Sequence, residues 1–348
     1  MVTWKKATLR RENGERVDMQ TPHIVSASRS TDIPAFYADW FFHRLGVGYS
    51  AWTNPFNGVR SYVSYKLTRF IVFWSKNPRP LLAYLPYLKE RRINCYVQFT
   101  LNDYEPEGFE PSVPGLQERI DTFRRLVDML GVGGVVWRFD PLVLTEQTDI
   151  DTLLEKIRNI GDQLRGYTEK LVFSYADIKS YSKVTRNLTK NNIAYREWDE
   201  AGMRRMAEGI AGLNNAWHYQ MGTCAEKIDL QEYGIEHNHC VDLDLIVRRA
   251  YNDPELMHFL GIKIEDPQLF GSTPGAIILP DGRLATTTKD HKDPGQRTAC
   301  GCIISKDIGQ YNTCVHRCVY CYANANCDIA RQNYARHLTD PTGESIVP

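Results

Sequence analysis

The sequence predicts an α/β protein: a (β/α) barrel, TIM-like or partial, with a C-terminal cysteine-rich segment capping the catalytic face. Three observations predict it. Short β-rich apolar runs alternate with helical patterns through residue 226. These runs are apolar almost throughout, as parallel strands covered on both faces must be. Seven strand-bearing units in one series favour a closed or nearly closed barrel. An open doubly wound sheet is the runner-up, and no Gly-rich dinucleotide fingerprint follows the first strand to support it.

Taken in order, HIVSASRS at 23–30 predicts a strand and AFYADWFFHRL a helix. VGYSAWTNP at 47–55 is the second strand, and RFIVFWSKNP at 69–78 the third, followed by the helix PLLAYLPYLKER. INCYVQFTLN at 93–102 is the fourth strand. Residues 115–130 form an amphipathic helix with Leu116, Ile120, Phe123, Leu126 and Val127 on one stripe. GVVWRFDPL is the fifth strand. DIDTLLEKIRNIGDQL is a helix leading to the strand LVFSYADI, and EWDEAGMRRMAEGIAGL a helix leading to the strand AWHYQMGTCAE. Residues 251–298 show little helical periodicity and many turn signals, so they are expected as a surface excursion. Within them GAIILPDGRLATT predicts a hairpin turning at Pro280, Asp281 and Gly282. The division expected is a barrel over 1–298, including that excursion, and a cysteine-rich iron–sulfur segment over 299–348.

A chain of 348 residues fits about two domains or one large barrel. Lys plus Arg and Asp plus Glu are 42 each, so nothing marks a general polyanion binder, although a local basic groove stays open. The start MVTWKKATLRRENGE has no apolar run suited to a signal peptide, and no run of about 18 apolar residues could span a membrane. A cytoplasmic location is expected. There thiols stay reduced, so nine cysteines call for metal or cluster ligation, or else burial as inert thiols.

In a barrel the C-terminal ends of the strands converge on the active-site face. Those ends carry Arg29 and Asp32, Asn54, Lys76, Gln98, Arg138 and Asp140, and Cys224 and Glu226. Arg138 and Asp140 alternate within WRFDP and so point to the same side of their strand. Buried charges need partners, so the two are expected to pair or to bind a charged ligand.

Six of the nine cysteines fall in residues 300–327. Cys314, Cys318 and Cys321 have the form C-x3-C-x2-C, a spacing that lets one loop wrap a single metal centre. Thiolates are the usual ligands of iron–sulfur clusters. Zinc is the alternative, with Cys300-Gly-Cys302 and Cys318-x2-Cys321 as a poor pair of knuckles. With Tyr320 just before the last cysteine, the motif resembles the signature of the radical S-adenosylmethionine (SAM) enzymes. The resemblance implies a [4Fe–4S] cluster on three cysteines, SAM on the fourth iron, and reductive cleavage to a 5′-deoxyadenosyl radical that acts on an unknown substrate. It also implies a full or partial (β/α) barrel and an electron donor such as ferredoxin or flavodoxin. That superfamily usually places its cysteine loop after the first strand. Here a last strand at 299–305, beside the first, would bring the loop to the same face. No Gly-Gly-Glu segment is present for the SAM amino group. Arg29 or Arg138 is then expected to take the carboxylate, and Asp32 or Asp140 the amino group or ribose hydroxyls. Asn54, Lys76, Gln98 and Tyr320 join them as cofactor contacts.

Most of the chain is also similar to a family of bacterial proteins catalogued as a domain of unknown function, through SASRSTDIPAFYADWF, NPFNGVRSYVS, IVFWSKNPRPLL, VQFTLNDYE, WRFDPLVL, TCAEKIDLQEYGIEHNHC and QRTACGCIISKDIGQYNTC. Cys224, Cys240, Cys300 and Cys302 suit a second, four-Cys centre, an auxiliary [4Fe–4S] cluster or zinc, or Cys224 and Cys240 are ordinary buried thiols. Cys327 is a spare, and Cys95 is a core residue. His316 is expected to shape the cluster loop rather than bind iron. Two other functions stay open: a non-catalytic or DNA-repair-related metal-binding barrel, and a hydrolase acting through Asp32, Asp140 and Glu226. A nucleic-acid substrate stays open too.

Overall fold

The computed structural model describes residues 5–54, 57–266, 275–297 and 300–348. Its centre is an eight-stranded sheet in which every pairing is parallel. The strands are β1 (Ile24–Ala27), β2 (Phe70–Ser75), β3 (Asn94–Thr100), β4 (Val135–Leu142), β5 (Lys170–Tyr175), β6 (Gln220–Thr223), β7 (Ile235–His237) and β8 (Lys306–Asp307). In space they run β7-β6-β5-β4-β3-β2-β1-β8. The chain thus adds each strand beside the one before, and then returns to lay its last strand against its first.

Both faces of this sheet are buried, which explains its near-continuous apolar strands. Val25, Ile71, Phe73, Val97, Phe99, Trp137 and Phe173 face one layer of helices. Into that layer the helices Leu116–Leu130, Ile150–Gln163 and Glu200–Asn214 send Phe123, Leu126, Ile157, Ile160, Met206 and Ile210. Asp149 and Asp199 cap the last two by accepting from the third residue on. Ile24, Phe70, Val72, Tyr96, Val136 and Val172, one residue out of phase, face the other way.

That second face corrects two expectations. Residues 254–260, expected within a surface excursion, are part of the core. Helices Leu243–Ala250 and Pro254–Leu260, capped by Asp242 and Asp253, cover the second face with Ile246, Leu256, Met257 and Leu260. The helix Pro254–Leu260 has two turns, too short for a periodic stripe to stand out. The expected hairpin does form, Ile277–Ile278 against Leu284–Thr286, with Lys263–Glu265 as a third strand. Turn signals within 267–274 lie outside the described residues. No closed barrel forms either: among the described residues β7 and β8 do not pair. Helices occupy the face that a closed barrel fills with strand side chains alone. The gap is stitched where the Ile303 N–H donates to the Val241 carbonyl at 3.0 Å.

Two strand assignments also shift. Tyr49–Thr53 belongs to a separate four-stranded sheet with Lys6–Arg10, Arg16–Gln20 and Arg60–Ser64, because a short turn pairs it antiparallel with Arg60–Ser64. The last strand is Lys306–Asp307 rather than 299–305; residue 299 is outside the described set. After it come the cysteine loop and a helix, Cys327–Thr339, capped by Asn326. Among the described residues no helix is long and apolar enough to cross a membrane.

Candidate metal centre

Because all eight strands are parallel, their C-terminal ends share one edge, and the cysteine loop leaves β8 at that edge. Asp307 fixes the departure. Its carboxylate accepts from Ser28 Oγ at 2.7 Å, Ser26 Oγ at 3.1 Å, and the N–H groups of Arg29 and Gly309 at 2.9 Å. β8 is thereby tied to β1 by side chains as well as by its short ladder. A Cβ at Gly309 would lie 1.8 Å from Ser28 Oγ, so the chain passes here only as glycine.

Two residues inside the motif anchor the loop. His316, buried, meets Asp32 Oδ2 at 2.7 Å through Nε2 and faces the Ser112 carbonyl through Nδ1. Asp32 also accepts from Ser75 Oγ, Ala35 N–H and Lys76 N–H. Burial alone would raise the Asp32 carboxyl, but His316, Ser75 and the Lys76 N–H hold it below its usual value. Asp32 is thus fully engaged in joining the ends of β1 and β2 to the cysteine loop. Tyr320 is the second anchor. Its hydroxyl meets Glu110, Lys76 Nζ at 3.0 Å and Asn102 Nδ2 at 3.1 Å. Glu110 accepts from Lys76 Nζ at 2.7 Å and lies 3.5 Å from Arg119 Nη1. Burial pushes the Glu110 carboxyl up, but Lys76 and Arg119 outweigh it and hold it at about 2. Tyr37 OH donates to the Thr313 carbonyl at 2.6 Å, and Asn324 Nδ2 to that of Cys314 at 2.7 Å.

These anchors gather Cys314, Cys318 and Cys321 into one buried region. Burial raises all three thiols. Mutual charge adds to this for Cys314 and Cys318, whereas the Ala323 and Asn324 N–H groups pull Cys321 back down. The three are within electrostatic reach of each other; the Cys321 N–H donates to the Cys318 carbonyl at 3.2 Å, and among the described residues no sulfur–sulfur hydrogen bond joins them.

A second group of sulfurs is in closer contact. Cys224 follows β6 and Cys240 follows β7; their Sγ atoms are 3.4 Å apart. Cys302 hydrogen-bonds to both Cys240 and Cys300. Cys240 Sγ accepts from Arg138 Nη1 and Asn238 Nδ2, each at 3.0 Å, and Cys302 Sγ from the Val241 N–H at 3.3 Å. The Cys224 and Cys302 contacts, ahead of burial and of Arg138, hold Cys240 well below the usual thiol range. Gln98 spans Arg138 and the Cys240 carbonyl. Arg138 also pairs with Asp140, as the alternation predicts. Arg29 stands over Trp74 at 5.1 Å, Arg138 over the same ring at 5.3 Å, and Arg29 also bonds Cys302. All nine cysteines are free thiols, and among the described residues no group of three or more His, Cys, Asp or Glu side chains is placed so that it could hold a metal ion.

Other candidates fall nearby or apart. Asp140 accepts from Ser174 Oγ at the end of β5. Glu226 accepts the Tyr175 N–H at 3.0 Å; burial first, then Asp140 and Asp177, pushes its carboxyl up to about 7. Asn54 is not on the main sheet: it follows a strand of the second sheet, and its N–H donates to the Val59 carbonyl. Sequence reasoning missed Asp307, Glu110, Asn102, Trp74 and Asn238. Each is a single residue with no pattern around it.

Fold and site together define a parallel α/β protein whose sheet edge gathers seven thiols in two groups. The chain belongs to the family described as a domain of unknown function, DUF1848, whose pattern matches residues 24–323 and so takes in the whole sheet and the Cys314–Cys321 loop. No curated protein and no solved structure matches it.

Proposed function

We propose that this chain is an iron–sulfur enzyme of the radical-SAM type built on a partial (β/α) barrel. The observation that carries this reading is the strand order. β8 stands in space before β1, so the spatial series of strands begins with the one that leads into the C-x3-C-x2-C loop. The position of the loop late in the chain is then a difference of connection, not of architecture.

The residues present fit a cluster. Three thiols come from one anchored loop, and the Ala323 and Asn324 N–H groups reach the Cys321 sulfur, as donors that tune cluster sulfurs do. Cys314, Cys318 and Cys321 would hold it. With SAM it would supply a 5′-deoxyadenosyl radical for hydrogen abstraction, given an electron from a ferredoxin or flavodoxin. His316 and Tyr320 hold the loop against Asp32, Lys76, Asn102 and Glu110, so Asp32, Lys76 and Tyr320 are positioning residues. Gln98 orients Arg138. Asp140 and Glu226, on the rim at β4–β6, offer carboxylates to the SAM amino group and ribose hydroxyls. The hydrolase reading is weaker, because both Asp32 oxygens are taken by fixed donors.

Anaerobic purification followed by iron and sulfide analysis tests the proposal. Wild-type protein should carry a [4Fe–4S] cluster with a reduced-state electron paramagnetic resonance signal that shifts on adding SAM, and should release 5′-deoxyadenosine and methionine. Cys318→Ser should lose the iron of this site. A folded wild-type protein without iron at the triplet, or one whose cluster ignores SAM, refutes the assignment.

A further inference from the structure

The two groups of sulfurs differ in spacing, and the difference discriminates between metals. A cube-shaped cluster interposes iron and sulfide between its thiolates and holds them apart, which suits a triplet whose sulfurs make no mutual contact. A single zinc ion holds four thiolates at about 2.3 Å, which puts neighbouring sulfurs only about 3.8 Å from each other. The quartet is closer to this second arrangement: the Cys224 and Cys240 sulfurs lie 3.4 Å apart, the Val241 N–H brings Cys302 beside Cys240, and Cys300 interacts electrostatically with Cys302.

The geometry points to a structural zinc site formed by Cys224, Cys240, Cys300 and Cys302, closing the gap between β7 and β8. Three features support a charged metal–thiolate centre over four idle thiols. Four thiolates around Zn²⁺ carry a net charge of −2, and the guanidinium groups of Arg29 and Arg138 both face the quartet. Arg29 Nη2 is buried with no hydrogen-bond partner, although Asp307 and Cys302 lie close to the guanidinium. The sulfurs already receive the donors that thiolate ligands need, from Arg138, Asn238 and the Val241 N–H. Gly301 keeps the C-x-C turn tight, since a Cβ there would meet the His239 ring at 2.2 Å.

The site has a structural task and an entry path. The ends of the sheet are joined near the quartet by one backbone bond, Ile303 to Val241. An ion held by loops after β6 and β7 and by the segment before β8 would clamp that seam without closing the barrel. A cavity of about 450 Å³, lined in part by Glu226, His237, His239 and Cys300, leads in from the surface. The four sulfurs do not yet surround one point, so zinc would have to draw their side chains round it.

The test is metal analysis of the full-length protein, purified anaerobically from cells supplied with zinc and iron. About one zinc per chain is expected. It should be lost in Cys240→Ser and Cys302→Ser and kept in Cys318→Ser, which removes only the triplet's iron; failure of the radical-SAM reading would leave the zinc result unchanged. Zinc-edge X-ray absorption on the wild type should show four sulfurs at about 2.3 Å, and this decides the matter even where a variant does not fold. The inference is overturned by protein without zinc, by a second cluster's iron at the quartet, or by zinc with oxygen or nitrogen neighbours.

Discussion

Glu110→Gln isolates the support of the cysteine loop from its sulfurs. The substitution keeps the shape of the side chain and removes its charge, leaving the half-buried Lys76 and the buried Arg119 without a counter-ion. The carboxyl drops from an ordinary 4.5 to about 2 in the folded protein, which corresponds to a contribution of about 3 kcal/mol. The sign follows from the depression. The contribution is complete above pH 4.5, where the unfolded chain is also ionised, and is lost as pH falls towards 2. Urea unfolding of metal-free protein at 25 °C measures it by linear extrapolation. At pH 7 the variant should be less stable by about 3 kcal/mol, and the gap should narrow steadily below pH 4.5. A gap under about 0.5 kcal/mol at pH 7, or one that stays constant down to pH 3, would refute the assignment of this carboxylate as the charged keystone of the loop.

Three further outcomes are expected. Gly309→Ala drives a methyl group into Ser28 and should cost at least about 2 kcal/mol in thermal or urea unfolding, with the loss of β8 from the sheet visible as faster amide exchange at Ile308. Lys306 lies over Trp52 with its ammonium 3.4 Å from the ring centre, and burial pushes its pKa down to about 8. The unfolded chain therefore binds more protons between pH 8 and 10.5, so wild-type stability should rise through that range; Lys306→Met should be more stable than wild type at pH 7 by about 2 kcal/mol, and a melting comparison at pH 7 and 10 checks both signs. Cys95→Ala should leave zinc and iron content unchanged and cost about 1 kcal/mol, because Cys95 is a buried thiol among apolar neighbours on the helix-covered face.

The α/β class was legible because strands covered on both faces carry their own signature: Phe70–Ser75 is apolar in both phases up to its last residue, whereas Val135–Leu142 is apolar in one phase and carries Arg138 and Asp140 in the other. Closure was not legible, since strand count says nothing about what fills the second face. There Leu256, Met257 and Leu260 sit in a helix too short to announce itself. Tyr49–Thr53 was seen as a strand but not as a member of another sheet, because a strand's pattern does not name its partner. At the site, the cysteines and the Arg138–Asp140 pair could be read from spacing and alternation. Glu110, Asn102 and Asp307 could not. Each acts through one long-range contact, and nothing in GFEPS or ISKDIG separates such a residue from any loop carboxylate.

The pairing of β8 with β1 has a consequence for biosynthesis. Ser26 and Asp307 touch across 281 positions of chain, so the ribosome releases seven strands before the eighth exists. Until then β1 is an uncovered flank, and the nascent protein does not yet carry Cys314, Cys318 and Cys321. Translation itself would postpone cofactor loading until the platform beneath it is finished, and a polypeptide cut short before residue 306 would reveal itself to quality control by its bare margin.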